Sequence, residues 1–145
     1  MSTELVDISY DLIDGIVTVL SGHVTYGGVT YPVYKSIPKP SAEIYVHVHD
    51  VLHSEDGTKD GFMYSGTVLV EVVDESRMQA DKKLAYAILN VVRRLLKTSK
   101  GSTFSIGSTL TLIVFSFNVK NEFTEQAANG ISRSRIIDSY NFLIE

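Results

Sequence analysis

The chain has 145 residues, 44% of them hydrophobic and 21% charged, and carries a formal net charge of −4. We expect residues 1–145 to form a single domain, because this length suffices for one substantial core. The absence of cysteine excludes disulfides and thiolate metal sites. The acidic balance argues against a protein whose main task is to hold nucleic acid, and no apolar run or leader pattern predicts membrane insertion or secretion.

The first third of the sequence predicts a helix, a small hairpin and an edge segment. Residues Leu5–Leu20 place apolar side chains at helical spacing on one side. Residues 23–31 predict a hairpin around Gly27 and Gly28, because glycines accept the positive φ angles of a two-residue turn. Three prolines then mark Val33–Ala42 as an edge or crossing segment, since proline cannot donate to a central strand.

The middle of the sequence predicts two strands and the only long amphipathic helix. Glu43–Asp50 alternates apolar and polar residues as a strand does, and Val51–Gly61 predicts an exposed turn or a flexible loop. A second strand within Gly66–Lys97 precedes the helix, where Ser76 and Gln79 have the spacing of a capping box. A helix from there to Lys97 would span about 31 Å and needs a sheet of similar extent to lie on.

The last third predicts two strands around a polar loop. After a loop at 98–108, Thr109–Val119 predicts a strand about 36 Å long. Lys120–Ser132 predicts a polar loop, and Arg133–Glu145 predicts the closing strand. The complete pattern therefore predicts an α+β fold: a mainly antiparallel, twisted sheet of about four to six strands, with a long helix on one face and an additional N-terminal helix.

The long strand has apolar residues on both of its predicted faces. Strict alternation puts Leu110, Leu112 and Val114 on one face, and puts Ile113, Phe115, Phe117 and Val119 on the other. A sheet with one solvated face does not need both. We therefore expect the second face to be covered by either the first helix or another subunit.

The best candidate for a metal site is the pair His47 and His49. Histidines at i and i+2 on a strand point the same way, and His53 or Asp50 could supply further ligands. The alternative is a pair of partly exposed histidines on the polar face of the strand. We favour this alternative, because no partner follows at a fixed spacing, and we predict neither a metal nor a cofactor.

Two other segments resemble binding sites, and neither predicts an enzyme. Asp56–Gly61 resembles the first half of a calcium loop, but Thr67 stands where the bidentate carboxylate is needed. The basic cluster Arg93, Arg94, Lys97 and Lys100 is interpreted as complementing the helix C-terminus, with DNA phosphates as the alternative. No nucleotide-binding, hydrolase or metalloprotease motif is present.

The order of these elements resembles the tail-terminator and tail-completion proteins of long-tailed bacteriophages. The resemblance rests on "GGVTYPVYKSIPKPSAEIYVHVHD", "GTVLVEVVDES", "QADKKLAYAILNVVRRLL" and "RSRIIDSYNFLIE". In that family a Val-Tyr pair and prolines lead into an apolar strand, here Val33-Tyr34, Pro38 and Pro40 before Ile44-Tyr45-Val46. An acidic or serine-containing corner, here Asp74-Glu75-Ser76, then leads into the helix. The His47 and His49 pair is not expected of the family.

The resemblance implies a non-enzymatic virion protein that forms a ring, expected to contain six copies. Such a ring terminates the tail tube and joins it to the neck after assembly in the host cytoplasm. Its implied partners are other copies of itself, the tail tube protein and a neck or connector protein, with DNA only as passing cargo. The alternatives are a connector ring nearer the capsid and a small metal- or ligand-binding domain that uses His47 and His49.

We expect contacts with neighbouring subunits or rings along the two polar loops, the long strand and the start of the last strand. The residues are Glu55, Asp56, Lys59, Asp60, Phe115, Phe117, Lys120, Glu122, Phe123, Gln126, Arg133 and Arg135.

Overall fold

The computed structural model describes residues 7–58, 61–75, 82–96, 104, 106–107, 110–126 and 132–145. In chain order, the elements of the described residues are α1 Ser9–Leu20, β1 Thr25–Tyr26, β2 Val29–Thr30, β3 Val33–Tyr34, β4 Ile44–Thr58, β5 Gly61–Asp74, α2 Lys83–Leu96, β6 Leu112–Gln126 and β7 Ser132–Ile144. Among them, no helix is long and apolar enough to cross a bilayer.

Five strands form one mixed sheet in the order β3-β4-β5-β7-β6. The hairpins β4–β5 and β6–β7 are antiparallel and join through an antiparallel β5–β7 pair, whereas β3 runs parallel to β4. Strands β1 and β2 form a separate hairpin around Gly27 and Gly28, whose φ angles are 60° and 80°. The predicted α+β class, this hairpin and the edge position of β3 are confirmed.

Both helices pack on the same face of the sheet, which we call the helix face. Helix α1 contacts α2 and β4, and α2 contacts β5. Leu12 and Ile16 of α1 share one core with Val70 of β5 and Ile136 of β7, and all four are fully buried. The opposite side is the open face. Of the two alternatives for covering a second face, α1 is therefore excluded, because its apolar side is already used in the core.

Within the described residues, both helices are shorter than predicted. Helix α1 begins at Ser9, whose amide donates to Asp7 Oδ1 at 2.9 Å. Lys82 has a φ angle of 54°, so a helix cannot run continuously through it into α2. The predicted start of this helix at the capping box is therefore wrong, whereas the helix itself is confirmed over Lys83–Leu96, and Lys97 lies outside the described residues. Ser76 and Gln79 themselves lie outside the described residues.

Two predicted polar loops are instead long strand extensions. Within 51–61, β4 continues to Thr58 and pairs back onto β5, and β6 continues through 120–126 to pair with β7. Over the described residues 51–58 and 120–126, both loop predictions are wrong. The side chains of 51–55 and 120–126 are exposed or partly exposed, so they show no apolar periodicity. The backbone N–H and C=O groups of both segments still require partners and find them across the hairpin.

Two irregularities in β6 change which side chains share a face. The register shifts between Leu112 and Val114, and again between Phe117 and Val119. Phe117 therefore lies opposite Tyr140 on the helix face, together with Leu112, whereas Val119 lies on the open face. The strict alternation predicted for this strand is wrong, because each bulge adds a residue and reverses the pleat.

On the helix face, a buried carboxylate holds α2 against β7. Asp138 has no exposed surface and receives hydrogen bonds from Arg93 Nε at 2.7 Å and Nη2 at 2.8 Å. The same guanidinium lies over the Phe117 ring, 4.6 Å from its centroid. Arg93 is thus engaged by the sheet, a role that the interpretation of the basic cluster missed.

We predict that Arg93→Ala lowers the free energy of unfolding by about 2–3 kcal/mol. Removing one partner of a buried pair strands the other charge, although the partial exposure of Arg93 reduces this cost. Arg94→Ala, in the exposed neighbouring position, is the matched control and should change stability by less than about 0.5 kcal/mol. Equal denaturant midpoints for the two variants would contradict this role.

Gly66 of β5 is required because the adjacent backbone of β4 leaves no room for a side chain there. A Cβ at Gly66 would overlap the Leu52 carbonyl oxygen and lie 2.7 Å from His53 Cα. We predict that Gly66→Ala destabilises the fold by at least about 2 kcal/mol, because backbone must move. Gly57→Ala is the control, since its Cβ would meet only the Phe62 side chain at 3.4 Å. Thermal unfolding of both variants measures the difference, and a Gly66→Ala melting temperature equal to that of Gly57→Ala would refute it.

Candidate functional site: a buried glutamate on the open face

Glu71 is the centre of an ionic cluster on the open face. Its side chain is only 3% exposed although it lies on the face that carries neither described helix. The register places His47 directly opposite Glu71 on β4 and Ile137 opposite it on β7. Arg135 is the diagonal neighbour of Glu71 on β7, so the side chains of the cluster come from three adjacent strands.

Two histidines approach the same oxygen of Glu71. His49 Nε2 lies 2.9 Å from Glu71 Oε1, and His47 Nδ1 lies 3.4 Å from that atom. The two imidazole rings stack with centroids 4.4 Å apart. The His49 Nε2 atom is buried and lacks hydrogen-bond geometry to any described atom despite its short distance to Glu71. This contact is therefore electrostatic.

Arg135 binds the carboxylate from the other side. Its Nε lies 2.8 Å from Glu71 Oε2, and its Nη2 lies 3.2 Å from Oε1. Arg135 Nη1 also donates to Glu125 at 3.0 Å. The neighbouring Arg133 donates from Nε to Glu75 at 2.8 Å. Arginine suits this position because its planar donors match a carboxylate with two hydrogen bonds.

The cluster has more acidic than basic groups when its histidines are neutral. Glu71, Glu75 and Glu125 face two guanidinium groups, those of Arg133 and Arg135. Asp50 adds a further carboxylate, 3.1 Å from His49 Nδ1. The cluster therefore favours an additional positive charge at the histidines, either a proton or another cation.

The pKa values of Glu71 and His49 shift in opposite directions. Burial alone would raise the pKa of Glu71, but the contacts with His47, His49 and Arg135 outweigh it and hold that pKa well below its usual range. Burial likewise would lower the pKa of His49, but Glu71 and Asp50 outweigh it and raise that pKa. The two groups thus stabilise each other's charged forms.

A cavity of about 330 Å³ opens beside the cluster. Its lining comprises Ile37, Tyr45, His47, His49, Asp50, Glu71, Val73, Arg133 and Arg135. The cavity combines imidazole nitrogens and carboxylate oxygens with solvent access, which are the features of a site for a small cation or a polar group of a partner.

The structure confirms part of the histidine interpretation and corrects the rest. His47 and His49 do point the same way, and Asp50 does lie beside them. The bulge between His49 and Leu52 turns His53 to the helix face, where its Nε2 lies 3.7 Å from Asp7. The proposed contribution of His53 to this group is wrong. Glu71 was missed, although its polar character at an alternating strand position marked it as facing the same side.

The residues predicted to contact neighbours are distributed over both faces. Phe123 is 49% exposed on the open face, next to Arg135, whereas Phe117 is 49% exposed on the helix face. Phe115 is 4% exposed and stacks on Tyr140 in the core. The remaining described positions are Glu55 near His53, Asp56 within β4, Lys120 paired with Glu122, Gln126 at the end of β6, and Arg133 in the cluster. Lys59 and Asp60 lie outside the described residues.

Comparisons with known proteins yield a structural likeness. No protein-family model and no curated protein matches the chain. The fold is similar to a chain in the solved virion of a native gene transfer agent (GTA) particle, with a TM-score of 0.58 and 15% sequence identity. The likeness covers 90% of this chain and 84% of that chain. The two chains share a fold.

We predict that Glu71→Gln lowers the pKa of His49, because it removes the negative charge nearest to Nε2. In metal-free buffer, NMR titration of the imidazole C–H signals measures this change. The same titration of Glu122→Gln, which removes an exposed carboxylate on the helix face, is the control and should leave His49 unchanged. An unshifted His49 signal in Glu71→Gln would contradict the geometry.

The pKa shifts of Glu71 and His49 determine how the stability of the fold depends on pH. The raised pKa of His49 gives stability that is complete below its ordinary value of 6.5 and is lost as the pH rises through the folded-state value. The lowered pKa of Glu71 gives stability that is complete above its ordinary 4.5 and is lost on acidification. The destabilisation by Glu71→Gln should therefore be largest between these two pH values.

Proposed function

We propose that this chain is a structural virion protein that assembles into a closed ring, terminates a phage-type tail tube and joins it to the neck. Two independent likenesses support a virion role: the order of the sequence elements and the fold shared with a GTA virion chain. The observation that carries the assembly step is the exposed edge strand β6.

Strand β6 has unused surface of two kinds. Among the described residues this 15-residue strand pairs only with β7, so its outer edge has no strand partner. Five apolar side chains of this strand are between 40% and 49% exposed: Phe117 on the helix face, and Ile113, Val114, Val119 and Phe123. A long, apolar and unpaired edge is a template for another chain, and natural proteins rarely leave one uncovered.

The topology favours a head-to-tail contact. The sheet begins with the two-residue strand β3 at one edge and ends with β6 at the other. Because these edges differ in length and chemistry, β6 of one copy meets a different surface of the next. Such heterologous contacts form a ring when the rotation between copies closes. Six copies is the number that the family resemblance implies.

In this proposal the protein acts by contact and not by catalysis. Its partners are adjacent copies, the tail tube protein and a neck or connector protein, and DNA passes through the ring as cargo. The place of the ring is the tail–neck junction of the virion. An electron-microscopy map of particles locates it, and density for the chain adjacent to the capsid would instead indicate a connector ring.

The exposed apolar side chains Ile113, Val114, Val119 and Phe123 form what we call the apolar strip of β6. We predict that Phe123→Asp abolishes ring formation, because a carboxylate in this strip opposes burial of the strip against a neighbouring copy. Mass photometry of the purified protein, alone and with tail tubes, measures the distribution of assemblies. Val29→Asp is the matched control, since Val29 is 51% exposed in the β1–β2 hairpin, whose strand β1 contacts α2. The control should assemble like the wild type.

Three different outcomes would contradict this assembly step. If the wild-type chain is monomeric both alone and on tail tubes, it does not form a ring. If Phe123→Asp forms rings as well as the wild type, β6 does not form the contact between copies. A closed dimer would point to symmetric β6–β6 pairing, and it would contradict the head-to-tail arrangement.

A further inference from the structure

We propose that His47, His49 and Glu71 bind one divalent transition-metal ion, such as Zn²⁺, on the open face of the sheet. The ligand atoms are one nitrogen from each imidazole and Oε1 of the carboxylate. They lie within 4.8 Å of one another. Ligand atoms around one ion with bonds of about 2.0–2.2 Å are at most about 4.4 Å apart, so these separations are close to those of a shared metal.

The fold presents these ligands on a rigid support. His47 and His49 are two residues apart on β4, and Glu71 pairs directly with His47 across the β4–β5 ladder. Strand geometry, not loop geometry, therefore sets the separation of the three side chains. The stacking of the two rings also restricts their rotation.

Arg135 acts in this site as an outer-sphere partner. Its shorter contact is 2.8 Å from Nε to Glu71 Oε2, so that oxygen is the one most firmly engaged. Oε1 has the longer contact to Arg135, at 3.2 Å, and faces both histidines. A carboxylate that is oriented through one oxygen and ligates through the other is a common second-sphere arrangement.

Charge and accessibility also favour a cation here. The excess of carboxylates over guanidinium groups leaves the cluster with negative charge while the histidines are neutral, which is the form that binds metal. The buried His49 Nε2 atom makes no hydrogen bond, so a metal can take that role without displacing one. The adjacent cavity of about 330 Å³ leaves room for a fourth ligand, water or a group from a partner.

Two histidines and one carboxylate suit borderline metals more than Mg²⁺ or Ca²⁺, which prefer oxygen. The test uses chelator-treated full-length protein and titration calorimetry with Zn²⁺, and the visible absorption of Co²⁺ as a coordination signature. We expect one ion per chain. His47→Ala and His49→Ala should each weaken Zn²⁺ binding by at least about tenfold.

His53→Ala is the matched control, because His53 lies on the same strand but on the helix face, and its Zn²⁺ affinity should equal that of the wild type. Glu71→Gln should reduce affinity as the histidine changes do. If Glu71→Gln fails to fold, as judged by circular dichroism, the two histidine variants decide the question. Absence of one-to-one binding by wild type, or equal binding by His47→Ala and wild type, would overturn the site.

Discussion

On each face of this sheet an arginine binds a buried carboxylate, and the packing depends on these two pairs. Asp138 on the helix face is held by Arg93 of α2, and Glu71 on the open face is held by Arg135 of β7. Removing one partner of a buried pair lowers the free energy of unfolding by about 3–5 kcal/mol, because the remaining charge is buried without compensation. The pairs therefore fix how α2 sits on β7 and how β5 aligns with β7, more than they add net stability.

The open-face cluster is continuous with the apolar strip of β6. Phe123 lies opposite Arg135, and Val119 lies opposite Ser139. A neighbouring subunit that covers Phe123 would also approach Arg135 and Glu125 and exclude water from their contacts. Because electrostatic interactions strengthen when water is excluded, assembly and the ionic cluster are expected to reinforce each other.

Strand β6 also contains devices that limit indiscriminate pairing. Two bulges interrupt its ladder, and Lys120 and Glu122 place a charged pair along its outer half. Such features discourage edge-to-edge aggregation. A strand that is apolar yet bulged and charged at defined positions favours a partner of matching shape over any exposed strand.

The sequence predicted the elements whose formation depends on short-range residue patterns. Periodicity located both helices and the central strands, and the glycine pair located the first hairpin. The hairpin extensions were missed because the side chains of 51–55 and 120–126 are largely exposed, so backbone pairing and not apolar alternation determines these parts of the strands. Side chains of β6 were assigned to the wrong faces because no single residue in the sequence marks the positions of its bulges.

The site was predictable only in part, for the same physical reason. The i, i+2 spacing of His47 and His49 is local and was recognised. Glu71 and Arg135 join them through strand register across β4, β5 and β7, which the sequence does not specify until the strand order is known. The bulge at Asp50, whose φ angle is 53°, also removed His53 from the group.

The central claim is that the outer edge of β6 is completed by another copy of the chain. Hydrogen–deuterium exchange of the isolated chain and of assembled virions tests it most directly. The account predicts that β6 amides that do not bond to β7 exchange quickly in the isolated chain and become protected in the virion. Equal exchange of those amides in both states would contradict it.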